Sequence, residues 1–217
     1  MKQHHWLRRG LLYAVGLLVI AFGVAFSVNS DLGVSPVNSL PYVISEITQT
    51  ALSTCVIIVF CVYIAIQVLL LKKEFHPINL LQILFSTLFG YFVDFAKGVV
   101  GDFAIPTYAG QLTMLVISIG LIALGVLLYV EAGLVPMPME GLAMAVAKKT
   151  GRPFAKMKIL VDCLSVGCAA AVSLLFLGRL AGVREGTVIT AIAAGRVVGV
   201  LKGRLSPWLH KQILGES

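Results

Sequence analysis

Apolar residues run almost unbroken from Leu11 to Val28, and the pattern returns at Ala51–Leu71, Ile78–Phe95, Gln111–Val130, Ile159–Leu177 and Val183–Leu201. Each run is long enough for a helix to cross roughly 30 Å of hydrocarbon. The pattern therefore predicts an all-α polytopic membrane protein with six transmembrane helices. Two polar stretches break the rhythm: "VNSDLGVSPVNSL" (Val28 to Leu40) and "VEAGLVPMPMEGL" (Val130 to Leu142). Pro36–Ile47 and Met139–Lys149 each follow a proline, which suits a first helical turn, so both predict additional short helices.

The two polar stretches are copies of one another. With the second half shifted by 102 positions, Ile20 meets Ile122, Ala21 meets Ala123, Gly23 meets Gly125 and Val24 meets Val126. Val28, Leu32, Pro36 and Leu40 likewise meet Val130, Leu134, Pro138 and Leu142. Further on the offset becomes 105, and Gly90 meets Gly195. The repeat divides the chain at residues 1–107 and 108–217, three spans each, within one compact membrane domain. An odd number of spans turns the second copy upside down, the 3+3 inverted repeat of many secondary transporters. Pro36 and Pro138 then break the chain at equivalent places, and the freed backbone groups must be satisfied by protein or by a water-filled cavity. The expectation is two Pro-broken, partly re-entrant segments that face each other. The alternative is two interfacial loops that look alike through common ancestry.

Composition agrees with the pattern: 59% of residues are hydrophobic, 12% are charged and the mean hydropathy is +0.96. Charge then orients the bundle. With the N-terminus inside, the inner segments hold Lys2, Arg8, Arg9, Lys72, Lys73, Lys148, Lys149, Arg152, Lys156, Lys158, Lys202, Arg204 and Lys211, while Lys97, Arg179 and Arg184 fall outside. This is the positive-inside bias of a six-span protein with both termini cytoplasmic. The net charge of +7 thus reports topology rather than nucleic-acid binding. "MKQHHWLRRG" and the apolar run after it read as an uncleaved first span rather than a signal peptide.

Candidate chemistry is sparse. Cys55, Cys61, Cys163 and Cys168 lie in predicted spans without metal or redox spacing and read as small buried hydrophobes. His4, His5, His76 and His210 form no metal-ligand pattern, and no catalytic or nucleotide motif is present, so neither an enzyme nor a cofactor is expected. Ionisable and polar groups at membrane depth are the functional candidates. Asn29, Ser35, Asn38, Glu131, Glu140 and Arg196 are expected to bind substrate, with Gly33, Pro36, Pro136 and Pro138 shaping the turns. Glu140 aligns with Asn38 and is the first choice for a proton-coupling group. Arg196 either snorkels to the inner surface or faces the bundle and pairs with Glu140 or Glu131. Lys158 and Asp162 can pair at i, i+4 near the membrane interface. Asp94 reads as a solvated helix end. Gly90, with Ser86, and Gly195, with Ala191, Gly199 and Gly203, form small-residue faces that let helices approach, either between the repeats or in a homodimer.

Three segments, "GLLVIAFGVAFSVNSDLGVSPVNSL" from Gly16, "GLIALGVLLYVEAGLVPMPMEGL" from Gly120 and "REGTVITAIAAGRVVGVL" from Arg184, resemble the YczE/YyaS/YitT-type family of bacterial integral membrane proteins. The LG-x-S-P turn and the late G-T-x-I…G segment carry the resemblance most specifically. It implies a bacterial inner-membrane location and leaves the substrate open. The resulting expectation is a small secondary transporter, an exporter or exchanger of a small polar or amphipathic molecule, in contact with the lipid bilayer. The alternatives are a non-transporting membrane partner that regulates another protein, or a lipid-handling protein.

Overall fold

A computed structural model describes residues 2–209 and 211, with side chains from Trp6 onward. His210 and the chain end after 211 lie outside the described residues, as do the side chains of Lys2, His4 and His5. The helices are α1 (Lys2–Asn29), α2 (Pro36–Thr48), α3 (Leu52–Leu71), α4 (Leu81–Val100), α5 (Tyr108–Ala132), α6 (Pro138–Thr150), α7 (Phe154–Leu177) and α8 (Glu185–Leu209). Two 3₁₀ turns, Lys72–Glu74 and Pro77–Leu80, join α3 to α4. The protein is thus an all-helical polytopic membrane protein. Among the described residues, α1, α3, α4, α5 and α7 are long and apolar enough to cross a bilayer. The expected sixth span, α8, has the length (25 residues) but is less apolar: Arg196, Lys202, Arg204 and four glycines interrupt it. Large side chains such as Leu69, Leu84, Leu175 and Phe176 point outwards, as a lipid-facing surface requires.

The two halves share their local backbone, not only their sequence. Asp31 (φ +54°), just after α1, and its counterpart Gly133 (φ +64°), just after α5, are both left-handed. α2 is entered through Ser35 (φ −60°, ψ 152°) and α6 through Met137 (φ −62°, ψ 153°). Pro36 and Pro138 follow at the first helical position, where a missing N–H costs nothing. The short helices close at Gln49 and Gly151, again left-handed. Each half is therefore a long helix, a Pro-led short helix and two long helices.

The halves interlock rather than sitting side by side. α1 lies against α5, α2 against α7, and α6 against α3. Along α1 and α5 the contacts are reciprocal. A Cβ on Gly23 would stand 2.7 Å from the Ile122 side chain, and one on Gly125 would stand 2.5 Å from Ile20. Gly16 faces Gly125 backbone, while Ser118, the counterpart of Gly16, donates a 2.7 Å hydrogen bond to the Gly23 carbonyl. Glycines here bring two backbones into direct contact, the small-residue packing that membrane helices use in place of a hydrophobic driving force. The core continues through Leu17, Phe60, Phe89, Leu127 and Met139.

Ion pairs mark the two ends of the bundle. Asp31–Arg184 and Glu46–Arg179 sit at one end, at 3.4 and 3.5 Å. Glu131–Lys202, Glu74–Lys148 and Glu74–Lys149 sit at the other, at 3.6, 3.0 and 3.0 Å. α2 finishes at the end where its turn began (Asp31, Glu46), and α6 does the same at the opposite end (Glu131, Lys148).

Candidate functional site

The halves differ in how their last two helices pack. α3 packs along α4, where the Phe60 and Phe89 rings stack nearly parallel with centroids 6.1 Å apart and Gly90 admits Ile57 and the Ser53 carbonyl. The second-half pair, α7 and α8, makes no comparable contact, although α8 rests on α5 as α4 rests on α1. The sequence explains the gap. At the repeat offsets, Phe60 is replaced by Asp162, Phe89 by Ala194 and Phe85 by Thr190. Where the first half has two buried aromatic rings and a third partly buried, the second has two small side chains and a charge.

A cavity of about 580 Å³ occupies that space, within the range of small-molecule sites. Ser35, Pro36 and Val37 of the first turn line it, as do Pro136 and Glu140 of the second. Tyr129, Lys158, Asp162, Thr190, Ala194 and Gly195 complete its polar and α8 sides, and Ile122, Val126, Met144, Phe154 and Ile159 its apolar walls. Met144 on α6 and Phe154 and Ile159 on α7 are exposed, so the cavity is open along its α6–α7 edge.

Charge in the cavity is concentrated in one cluster. Lys158 Nζ stands 2.6 Å from Asp162 Oδ1 and 3.7 Å from Glu140 Oε1. The i, i+4 spacing on α7 places the first pair, and the N-terminal turn of α6 presents Glu140 to it. The Tyr129 hydroxyl lies beside the Glu140 carboxylate, yet Glu140 Oε2 is buried without a hydrogen-bond partner. So is Thr190 Oγ1 on α8.

Each broken turn is tied to the other half by its proline carbonyl. Ser165 on α7 reaches the Pro36 carbonyl at 3.5 Å, and Gln67 on α3 donates to the Pro138 carbonyl at 2.9 Å. These bonds anchor the first turn of each Pro-led helix to a long helix of the other half.

The residues expected to bind substrate separate into two groups. Ser35 and Glu140 line the cavity, together with Pro36 and Pro136. Asn38 is buried next to it, donating to Ser35 Oγ at 3.0 Å, with its own Oδ1 unpartnered. Asn29 does not line the cavity: it donates to the Gly101 and Phe103 carbonyls at 2.7 and 3.1 Å and ties α1 to the α4–α5 connection. Glu131 faces Lys202 at the bundle end. Arg196 is exposed on α8 and lies away from Glu140, because Lys158 from the neighbouring α7 takes the position of its partner. Gly33 (φ +98°) packs against Thr187 and Arg184 at the start of α8. Gly90 does pack a helix, but a Cβ on Gly195 or Gly199 would meet nothing within 4 Å, since α8 stands away from α7. Asp94 accepts a hydrogen bond from Ser53 across α3–α4. Cys55 is buried, whereas Cys163 and Cys168 face outwards from α7.

The Lys158–Asp162 pair forms as its i, i+4 spacing predicts, whereas the sequence pattern did not single out Thr190 or the buried Gln67–Gln82 pair, which share a hydrogen bond of 3.1 Å. Gln67 was visible as a lone amide in an apolar run. Thr190 could be recognised only by aligning α8 on α4 and finding Phe85 in its place.

Comparison with known proteins supports a membrane protein. Uncharacterized membrane protein YczE of Bacillus subtilis (strain 168) is 28% identical over 199 residues, covering 91% of this chain and 86% of the relative. No solved structure matches the chain. Residues 7–203 match the family of unknown function DUF6198, and with nearly the whole chain matched, the protein belongs to that family of membrane proteins.

Proposed function

We propose that the protein is a small secondary transporter of an amphipathic molecule, built as an inverted repeat of three spans and a broken segment in each half. One observation carries the reading: both Pro-led turns and a charged cluster line a single cavity between α7 and α8, while the equivalent α3–α4 seam is closed by stacked rings. Substrate sites of inverted-repeat transporters lie where discontinuous helices of the two repeats meet. An apolar chamber with a few convergent polar groups suits a molecule with an apolar body and a polar end. Movement of α8 towards α7 would close this chamber, and the small residues Ala191, Gly195 and Gly199 offer the surface for it. The opening along the α6–α7 edge, at Met144, Phe154 and Ile159, favours entry from the bilayer and makes lipid handling the second reading. The charge bias assigns the Lys148 and Lys202 end to the cytoplasm of a bacterial inner membrane.

The test uses a cysteine-free background with Ala194→Cys. Under alternating access a membrane-impermeant maleimide reaches this position from both faces of sealed vesicles, each face at its own rate. Labelling from one face alone would contradict transport and favour a static lipid or partner site.

A further inference from the structure

The charged cluster also specifies what kind of ligand the cavity takes, an inference that rests on reading the cavity as a substrate site. Three ionisable side chains of fixed charge sense line it: Glu140, Lys158 and Asp162. Together they carry one net negative charge when all are ionised. The ammonium of Lys158 is already held between two carboxylates, at 2.6 and 3.7 Å. An anion would have to displace those carboxylates from it. The unfilled hydrogen-bonding capacity points the other way. Glu140 Oε2 is buried with only the Tyr129 hydroxyl beside it, and a carboxylate oxygen, which can only accept, keeps a lone pair for a further donor. Thr190, 1% exposed, lines the cavity from α8 with its Oγ1 unpartnered. An unsatisfied buried polar atom costs free energy until something bonds to it. Both residues line the same cavity, and Thr190 stands where the first half has Phe85.

We infer that the cavity binds an amphipathic ammonium compound, its cationic head on Glu140 and Thr190 and its apolar body against Ile122, Val126 and Phe154. The head adds the positive charge the cluster lacks, and the body fills volume that side chains fill in the first half. A free lipophilic amine and the headgroup of an aminolipid offer the same chemistry.

Three probes with one apolar cage and different heads separate charge from shape: tritiated 1-adamantylammonium, with 1-adamantanol and adamantane-1-carboxylate as competitors. Purified full-length protein in maltoside micelles should bind the ammonium compound saturably. The alcohol should compete weakly and the carboxylate not at all. Glu140→Gln and Asp162→Asn should each weaken binding about tenfold or more, the scale of one lost charge contact. Thr190→Val keeps the shape of the side chain and should weaken binding several-fold without lowering the melting temperature. Ala194→Phe restores the ring of the first half and should abolish binding in a protein that still folds, which keeps the test valid if a charge variant fails to fold. Saturable binding of the carboxylate, wild-type affinity in Thr190→Val and Glu140→Gln, or no saturable binding of the ammonium compound would each overturn the proposal. Displacement by dihexanoylphosphatidylethanolamine would identify the head as a lipid's, and its failure would identify a free amine; either result leaves the ammonium site standing. Binding without uptake into proteoliposomes would end the transport reading alone, whereas uptake of the carboxylate in preference to the amine would end the ammonium proposal alone.

Discussion

Tyr63 on α3 and Ser165 on α7 share a hydrogen bond of 2.9 Å, and they stand 102 positions apart, the offset that relates the two halves. A residue that touches its own counterpart lies where the two copies exchange places. The α1–α5 contacts reciprocate in the same way, Gly23 with Ile122 and Ile20 with Gly125. Both observations follow if the halves are related by a local twofold axis through the bundle centre, as the inverted-repeat reading requires. Ser165 also reaches the Pro36 carbonyl, so this centre adjoins the first broken turn.

The Tyr63–Ser165 bond should be measurable by a double-mutant cycle. Tyr63→Phe and Ser165→Ala should each lower stability, and the pair together should cost less than the sum. A coupling of about 0.6 kcal/mol, and no more than about 1.7, is the scale of interhelical hydrogen bonds in membranes. Unfolding of the four proteins in mixed micelles supplies the numbers, and strict additivity would mean that the bond contributes nothing.

The glycines divide by what faces them. Gly23→Leu and Gly125→Leu should destabilise by about 1–3 kcal/mol or abolish folding, because each Cβ would enter the facing backbone or an isoleucine within 3 Å. Gly195→Leu should stay within about 0.5 kcal/mol of wild type in stability, since open space lies beside it. Melting temperature and monodispersity after purification separate the two groups.

Backbone conformation sets a third expectation. Gly33 has φ +98°, and a Cβ there would lie 2.6 Å from Thr187 Oγ1 and 2.7 Å from the Arg184 nitrogen. Gly33→Ala should therefore cost about 1–3 kcal/mol and loosen α8 from the first turn. Gly133 also has a left-handed φ of +64° but has room around it, its nearest neighbour being Arg9 at 3.6 Å. Gly133→Ala should cost only about 1 kcal/mol. Limited proteolysis between α7 and α8 should detect the first change and not the second.

Lys158 holds two carboxylates in place. Removing one member of a buried ion pair costs about 3–5 kcal/mol, and these side chains remain 22–23% exposed, so the figure falls towards about 2. Lys158→Met should lose that much stability. Lys158→Met combined with Asp162→Asn should recover part of it, since one unpaired charge disappears. Thermal melts of the single and double variants decide, and no recovery would mean that Lys158 stabilises by packing its stem alone.

The membrane class, the positions of the long helices and the two Pro-led short helices were fixed by residue pattern. Apolar runs of sufficient length can only be satisfied in lipid as helices, and a proline at the first helical position announces its own helix. The likeness of the two Pro-led turns was legible too, because Pro36 and Pro138 recur at matching places where the helix start restricts the choice. The arrangement of contacts across the helices was not legible in the same way. Arg196 and Lys158 are both basic residues near one end of the bundle, and only the placement of α7 beside α6 makes Lys158 the neighbour of Glu140. Gly90 and Gly195 occupy equivalent positions, yet one is packed and the other faces open space, because a glycine permits close approach without supplying a partner. That choice belonged to Phe60 and Phe89, whose stacked rings draw α3 and α4 together, and to Asp162 and Ala194, which leave α7 and α8 apart. Local pattern specifies which segments become helices. The cavity depends on side-chain volume summed across residues distant in sequence, a quantity that exists only once the chain is packed.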